Sequence, residues 1–547
     1  MAKKYDGTHR FSKSHKNSVK ADVIILGCSL PGIVTAHKLK RKFGDTMVIV
    51  VLDLVGPTRT PSKCNVAFLE EVDDDTTEVD GEETTVKQVV DNVARHYISM
   101  YSKEFNIPLP NAIIMPENTK TNLSKLFQHL NGNIVECLSD YHDFNYLSIM
   151  ERFELNQYQA LLDQTVIDVF HKDKLDSEVD RKMLMYYDKT TMEQHICDVL
   201  LFSTSREIMR TVVGLVCGAP ANTISVLFYL HQCYRTSSAR NHLDGDNTRF
   251  REKLLGYCRH RLASKLQKSI ADITMATKSI KEIRTYSNEQ VILETIKGET
   301  NYVCNLLAMA LRPDQLLKIR FDDQLMSKEQ ASITSRMSAG RAKKFLIQYE
   351  ENIWNDQGYS GDILSIQGPI IWAMEKPKMS TTGSTEKYAA IVGYLMIRDS
   401  DDNSKDAVIA QLVKLFGEKA ANPVSYKETN IADVFIPRCG DYIALRKFTG
   451  GTCNGFLEWG ALDIFADGDV AAALEAGHAA YLHLLSILRP QAQTYEDIST
   501  AEWPTLLRHS PFERWLAELN CKSGIRFVVY TAAISIGVHL IRTYLRR

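Results

Sequence analysis

The chain carries almost no net charge, no paired cysteines and no apolar run at its start. Its 65 Lys and Arg stand against 67 Asp and Glu, a formal net charge of -2. That leaves no global field to draw nucleic acid or an anionic partner. The 11 cysteines include no Cys-x-x-Cys pair and no Cys/His spacing of metal-ligand type. A structural metal site and a disulfide framework are therefore not expected, and scattered reduced thiols suit the cytosolic side of a membrane. The first twenty residues are polar and basic (Lys3, Lys4, Arg10, Lys13, Lys16, Lys20). They read as a flexible arm over 1–20 and not as a cleaved secretory signal. No internal repeat is visible. What remains is a globular composition, 44% hydrophobic and 24% charged, in 547 residues. That length exceeds one ordinary core and predicts two domains.

The strongest local pattern begins at Asp22. An apolar run, Val23 to Leu26, meets Gly27-Cys-Ser-Leu-Pro-Gly32, then a helical segment, then a second apolar run ending at Val51-Leu52-Asp53. Strand, tight turn, helix, strand and acid form the layout of a dinucleotide-binding βαβ unit. Gly27 would make the turn, Gly32 would let helix and strand approach, and Asp53 would take a ribose hydroxyl. The helix N-terminus would face a pyrophosphate. The middle glycine of the pattern is Ser29.

The acidic run 70–83 reads as a solvated loop. Helices are expected over Val86–Phe105, Thr204–Cys217, Ile224–Tyr234 (with Asn222-Thr223 as N-cap), Ala407–Phe416 and Val470–Leu488. Strands are expected at Ser279–Arg284, Gln290–Ile296, Thr300–Cys304, Lys344–Tyr349, Ile363–Ile366, Ile370–Ala373 and Ala389–Leu395. No linker divides the chain, so the two domains should share strands from distant parts of the sequence. From Phe527 to Ile541 the C-terminus has no polar face and is flanked by Arg526 and Arg542. It is either a buried core helix or a short membrane span whose arginines reach the interfaces. The second reading predicts a tail anchor over 524–544.

Four segments in this order resemble the flavin-containing amine oxidases, and among them the tail-anchored monoamine oxidases. They are the βαβ unit followed by Leu54-Val-Gly-Pro-Thr-Arg59-Thr, and the stretch from Thr191 through Val216-Cys-Gly-Ala-Pro to Leu230. Ser338-Ala-Gly-Arg-Ala-Lys-Lys-Phe-Leu-Ile-Gln-Tyr349 with Trp354 is the third, and Trp459-Gly-Ala to Glu475-Ala-Gly477 the fourth. The resemblance implies an α/β (α+β), two-domain fold. A Rossmann-type FAD-binding domain (about 21–110, 255–312 and 430–490) is interleaved with a substrate domain (about 111–254 and 313–429), and a C-terminal membrane helix follows. It implies FAD as cofactor, a small-molecule amine as substrate and oxygen as acceptor. It also implies attachment to the mitochondrial outer membrane with the large domain facing the cytosol, and it allows a homodimer.

The residues carried over are Lys344 as the catalytic lysine, counted from Gly340, with Lys343 beside it as the competing register. Gly27, Ser29, Gly32, Asp53, Arg59, Gly460 and Gly468 are placed at the flavin dinucleotide. Cys439 is either the flavin-bearing cysteine or a free thiol. The family's amine-positioning tyrosines fall on Gly440 and Asp469, its glycine pair after the first unit on Pro57-Thr58, and its second-fingerprint Thr and Glu on Ala461 and Leu462. Two readings follow: an FAD-dependent amine oxidase, or a catalytically inactive relative that serves as a membrane-anchored binding protein.

Overall fold

The computed structural model describes residues 18–54, 93–107, 123–170, 178–236, 238–243, 261–287, 290–296, 300–340, 342–376, 388–395, 404–431, 435–450, 452–453, 455–464, 470–494, 497, 510–518 and 521–545. Arg59, Gly468, Asp469 and the acidic run 70–83 lie outside them, as do 86–92 of the first expected helix.

Two mixed sheets organise these residues. The first has the strand order β5-β2-β1-β8-β7-β6-β9. Here β1 is Ser18–Leu26, β2 Ile49–Asp53, β5 Thr274–Thr277, β6 Ile280–Ser287, β7 Gln290–Thr295, β8 Asn301–Met309 and β9 Arg320–Phe321. β1 runs parallel to both β2 (Val23↔Ile49) and β8 (Val23↔Leu306). Strands buried on both faces need unbroken apolar runs, which is why β1 and β2 end in Val-Ile-Ile-Leu and Ile-Val-Val-Leu. β7 pairs with β8 antiparallel at Tyr302–Cys304, and β18 (Leu457–Glu458) pairs with it parallel at Leu307–Ala308. β17 (Thr452–Cys453) pairs with β18.

Helix α1 (Leu30–Phe43) covers one face of this sheet together with α2 (Val93–Glu104), α8 (261–269) and α13 (Val470–Leu488). α1 and α13 meet at Gly477, where a Cβ would stand 2.5 Å from the Pro31 carbonyl oxygen. Thr35 Oγ1 donates to the Gly477 carbonyl at 3.0 Å, so the two backbones are held at contact distance.

The second sheet has the order β15-β11-β14-β13-β12-β3-β4. Its strands are β3 Ser124–Gln128, β4 Ile134–Cys137, β11 Ala342–Tyr349, β12 Tyr359–Ser365, β13 Ile370–Glu375, β14 Ala389–Leu395 and β15 Ser425–Ile431. Alternation along β11 sends Leu346 to a core built with α3 (Ile149–Phe170), α5 (Met192–Val199), α6 (Ser203–Cys217) and α7 (Val226–Arg235). Phe345 and Ile347 face the opposite core, beneath α11 (Ser404–Phe416). Buried Gln411 fastens α11 to this sheet: its amide nitrogen donates to Gln128 Oε1 at 2.7 Å and its oxygen accepts from Ile370 N at 2.8 Å. A small ladder, β10 (Ser338–Ala339) with β16 (Phe435–Ile436), completes the strands. α4 (Glu178–Lys189), α9 (Pro313–Leu316), α10 (Lys328–Arg336) and α12 (Tyr442–Thr449) complete the numbered helices.

Two expectations are corrected. The cap of α7 is Ser225, whose hydroxyl accepts from Phe228 N, and not Asn222-Thr223. The C-terminal helix, Cys521–Leu545, is not a buried core helix: Ile534 and Ile541 are 66% and 61% exposed. Among the described residues the one helix long and apolar enough to span a membrane is α13, which is 61% buried as a core helix. The apolar part of the C-terminal helix is Val529–His539.

Candidate active site

The turn between β1 and α1 closes on the end of β8. Gly27 has φ +116°, and a Cβ there would lie 2.2 Å from the Ala310 carbonyl oxygen. A Cβ already fills the space beside Gly32, since an added one would meet the Ala310 side chain and the Gly27 oxygen at 2.6 Å each. Ser29 stands at the N-cap of α1, but its hydroxyl donates to the Ala310 carbonyl at 2.7 Å and makes no cap bond. Pro31 brings no N–H, so Leu30 and Gly32 carry the first-turn donors of α1 that have no carbonyl within the helix. Gly27, Ser29 and Gly32 are thus gathered around one residue, Ala310. Sequence reasoning missed it; its only signal is a small residue closing an apolar strand.

Asp53 ends β2 beside this turn. Burial pushes its carboxyl up from the usual range, while the backbone N–H groups of Leu54 and Cys28 bond to it and oppose the shift. The Cys28 thiol is pushed up to about 12, by burial first and by the Asp53 charge second.

Gly460 follows β18. Its N–H donates to Glu458 Oε1 at 2.7 Å, and a Cβ on it would sit 2.5 Å from that oxygen. The glycine lets the preceding carboxylate fold back onto the strand end. Glu458 is fully buried, and His483 Nδ1 on α13 stands 3.1 Å from the same oxygen. That bond raises the His483 pKa, against the effect of burial. Glu458 Oε2 and Trp459 Nε1 are buried and have no hydrogen-bond partner among the described residues.

Lys344 and Cys439 sit on other elements. Lys344 is on β11, 7% exposed, in register with Tyr394 of β14 and Thr429 of β15. Its Nζ stands 4.8 Å from the centre of the Tyr394 ring. Lys343 points to the other face and pairs with Glu428 at 3.1 Å. Strand parity therefore separates the two lysines that the sequence left in competition. Cys439 Sγ donates to the Asp188 carbonyl at the end of α4, at 3.2 Å. Burial pushes its thiol up, with the Asp188 carboxylate adding to the effect. The buried Asp188 carboxylate accepts from Tyr442 N and Ile443 N, both at 3.2 Å, and so caps α12 from a different helix. Gly440 follows Cys439 with φ +96°.

Comparison with known proteins supplies what geometry alone does not. The flavin containing amine oxidoreductase family matches this chain over residues 61–443, well over half its length. The chain belongs to that family. A probable flavin-containing monoamine oxidase A of Dictyostelium discoideum is 23% identical over 252 residues, 44% of this chain and 53% of that protein. An amine oxidase [flavin-containing] of Oncorhynchus mykiss is 24% identical over 389 residues, 64% of this chain and 69% of that protein. The chain thus spans about half the length of the first relative and about two thirds of the second.

Among solved structures, a putrescine oxidase variant superposes with TM-score 0.63 at 14% identity, covering 86% of this chain and 99% of that one. Cyclohexylamine oxidase from Brevibacterium oxydans IH-35A gives 0.59 at 17%, covering 84% and 98%. At such identities the likeness establishes the fold, an amine oxidase-like α/β architecture with mixed sheets.

The family's cofactor is FAD, and the residues at the first βαβ unit fit its adenosine and pyrophosphate end. Gly27 and Gly32 let the β1–α1 turn close on Ala310, and α1 offers two first-turn N–H donors. Asp53 presents a carboxylate at the end of the neighbouring strand.

Proposed function

We propose that this protein is an FAD-dependent amine oxidase holding its flavin without a covalent bond. Its two domains follow the division 21–110, 255–312 and 430–490 against 111–254 and 313–429, and its C-terminal helix, 524–544, anchors it in the mitochondrial outer membrane with the large domain facing the cytosol. FAD, once bound, would supply the redox chemistry, removal of a hydride equivalent from the carbon beside a neutral amine with oxygen as final electron acceptor, and water would hydrolyse the resulting imine.

The chain's own contribution is to bind, orient and exclude water. Leu30 and Gly32 N–H would face the pyrophosphate, with Asp53 on the ribose and Arg59, Gly460 and Gly468 along the remainder of the dinucleotide. Lys344 would hold a water by Nζ–H donation on the helix-facing side of the second sheet. The observation that carries the reading is Lys344 itself, a lysine only 7% exposed in a sheet core. Desolvating an ammonium is costly, so its burial suggests a functional reason. Non-covalent attachment is favoured at Cys439, whose thiol donates to Asp188 and is held away from the thiolate form.

The inactive, membrane-anchored binding protein is the second reading. Gly440 brings no ring where the family has an aromatic, and the Gly460 N–H is already engaged by Glu458. The visible spectrum of the purified full chain, before and after acid precipitation, separates the readings. Flavin bands that pass to the supernatant on precipitation, and that in the native chain bleach anaerobically with an amine and recover in air more slowly in Lys344→Met than in wild type, support the oxidase. A chain purified without flavin supports the second reading, and flavin that stays with the precipitate refutes non-covalent binding.

A further inference from the structure

The second sheet carries a cross-strand row centred on Lys344. Thr429 on β15, Lys344 on β11, Tyr394 on β14 and Trp372 on β13 are paired in register across four neighbouring strands. Residues directly opposite on antiparallel strands share a face. This face packs on the helices, because Trp372 belongs to the core shared with α3 and α5 to α7 and Tyr394 packs against it. The Lys344 Nζ lies 4.8 Å from the centre of the Tyr394 ring. That ring lies 5.9 Å from the Trp372 ring with 46° between their planes, so Tyr394 is braced from its far side.

A ring face attracts an ammonium through its quadrupole and gains little from a neutral amine. The attraction strengthens as water is removed, and Lys344 is buried while Tyr394 is partly buried against the core. A carboxylate would neutralise the lysine and take a full hydrogen bond. A ring face attracts the charge without accepting a full hydrogen bond, so it adds to the other interactions the lysine makes. We propose that Tyr394 is a positioning residue: its ring holds the Lys344 Nζ in place, as the ammonium, on the helix-facing side of the sheet. This rests on the assignment of Lys344 as the working lysine.

The test is Tyr394→Leu beside Tyr394→Phe in the purified full chain, read by competitive acetylation of Lys344 with mass spectrometry as a function of pH. Loss of the ring should raise the reactive neutral fraction of Lys344 about tenfold at fixed pH, while Tyr394→Phe stays within about twofold of wild type. A labelling curve for Tyr394→Leu that overlays wild type overturns the proposal. So does a Tyr394→Phe curve that moves with Tyr394→Leu, since the hydroxyl and not the ring would then matter. A merely structural role would lower the melting temperature of the leucine variant without moving the pH midpoint. Should Tyr394→Leu fail to fold, Tyr394→Met replaces the ring with a flexible side chain and is read by the same criteria. Labelling needs neither flavin nor turnover, so failure of the oxidase reading, seen as absent flavin or unchanged turnover in Lys344→Met, is separable from failure of this one.

Discussion

Replacing Gly27 by alanine tests whether the β1–α1 turn is built on the end of β8. The new Cβ would sit 2.2 Å from the Ala310 oxygen and 2.6 Å from its carbon, both backbone atoms. That is roughly 1 Å inside ordinary contact. Neither side can swing away freely: Gly27 N donates to Leu52 O at 2.7 Å, and Ala310 N to Leu26 O at 2.8 Å. A φ of +116° adds strain for any L side chain. Backbone strain of about 1–3 kcal/mol, plus one or two strand-end hydrogen bonds at about 1 kcal/mol each, gives about 2–5 kcal/mol. Gly44, at the other end of α1, is the control, because it has φ +56° but nothing within 4 Å of an added Cβ. Gly44→Ala should cost only the conformational strain, about 1–3 kcal/mol. Thermal melting of the purified full chain in detergent, with hydrogen exchange across Val23–Leu26, reads the difference. Gly27→Ala should melt about 1–3 °C below Gly44→Ala and lose protection in β1. Equal melting of the two variants would refute the close approach to Ala310, and with it the shape of the dinucleotide turn.

Three further outcomes are expected. Gly477→Ala places a Cβ 2.5 Å from Pro31 O and should lower the melting temperature, despite the better helix propensity of alanine, because α1 and α13 must separate. Burial raises the Glu104 carboxyl, but hydrogen bonds from His37 and Lys38 outweigh it and leave the pKa well below the usual range. A depressed folded pKa stabilises above the unfolded value of about 4.3 and loses that contribution as pH falls further. Glu104→Gln should therefore melt below wild type at neutral pH, with the gap closing in acid; a gap constant with pH contradicts the linkage. Removing residues from Gly524 onward should move the protein from the membrane to the soluble fraction on cell fractionation, and persistent pelleting with membranes refutes the anchor.

Much of the fold was legible because the decisive forces are local in sequence. β1, β2 and α13 follow directly from apolar runs and helical spacing, since their partners ask only for continuous burial. Where neighbours distant in sequence decide, the reading stopped short. Asn222, Thr223 and Ser225 can all cap a helix; Ser225 does so because Met192 N donates to Ile224 O and Val226 N to Thr190 O, fixing the chain just before α7 with Ser225 extended. Thr300–Cys304 extends to Met309 because β1 and β18 pair along the later half of β8. The choice between Lys343 and Lys344 is one of strand parity, and parity is fixed only by which helices cover each face.

The same limit explains why the site was only half readable. A glycine in a motif declares that something comes close to the backbone, but not what. At Gly27 and Gly32 the neighbour is Ala310, just past a strand nearly 300 residues away in sequence, and the close approach shapes the β1–α1 turn. At Gly460 the neighbour is the carboxylate of Glu458, which takes the N–H that the motif would offer to a cofactor. In both places the neighbour of the glycine is a residue of this chain. Cys439 repeats the point, since its thiol is directed to the Asp188 carbonyl at the end of a helix absent from the motif itself. Chemistry depends on the partner atom, so motif spacing ranks candidate residues, and their hydrogen bonds decide which of them remain available for the reaction.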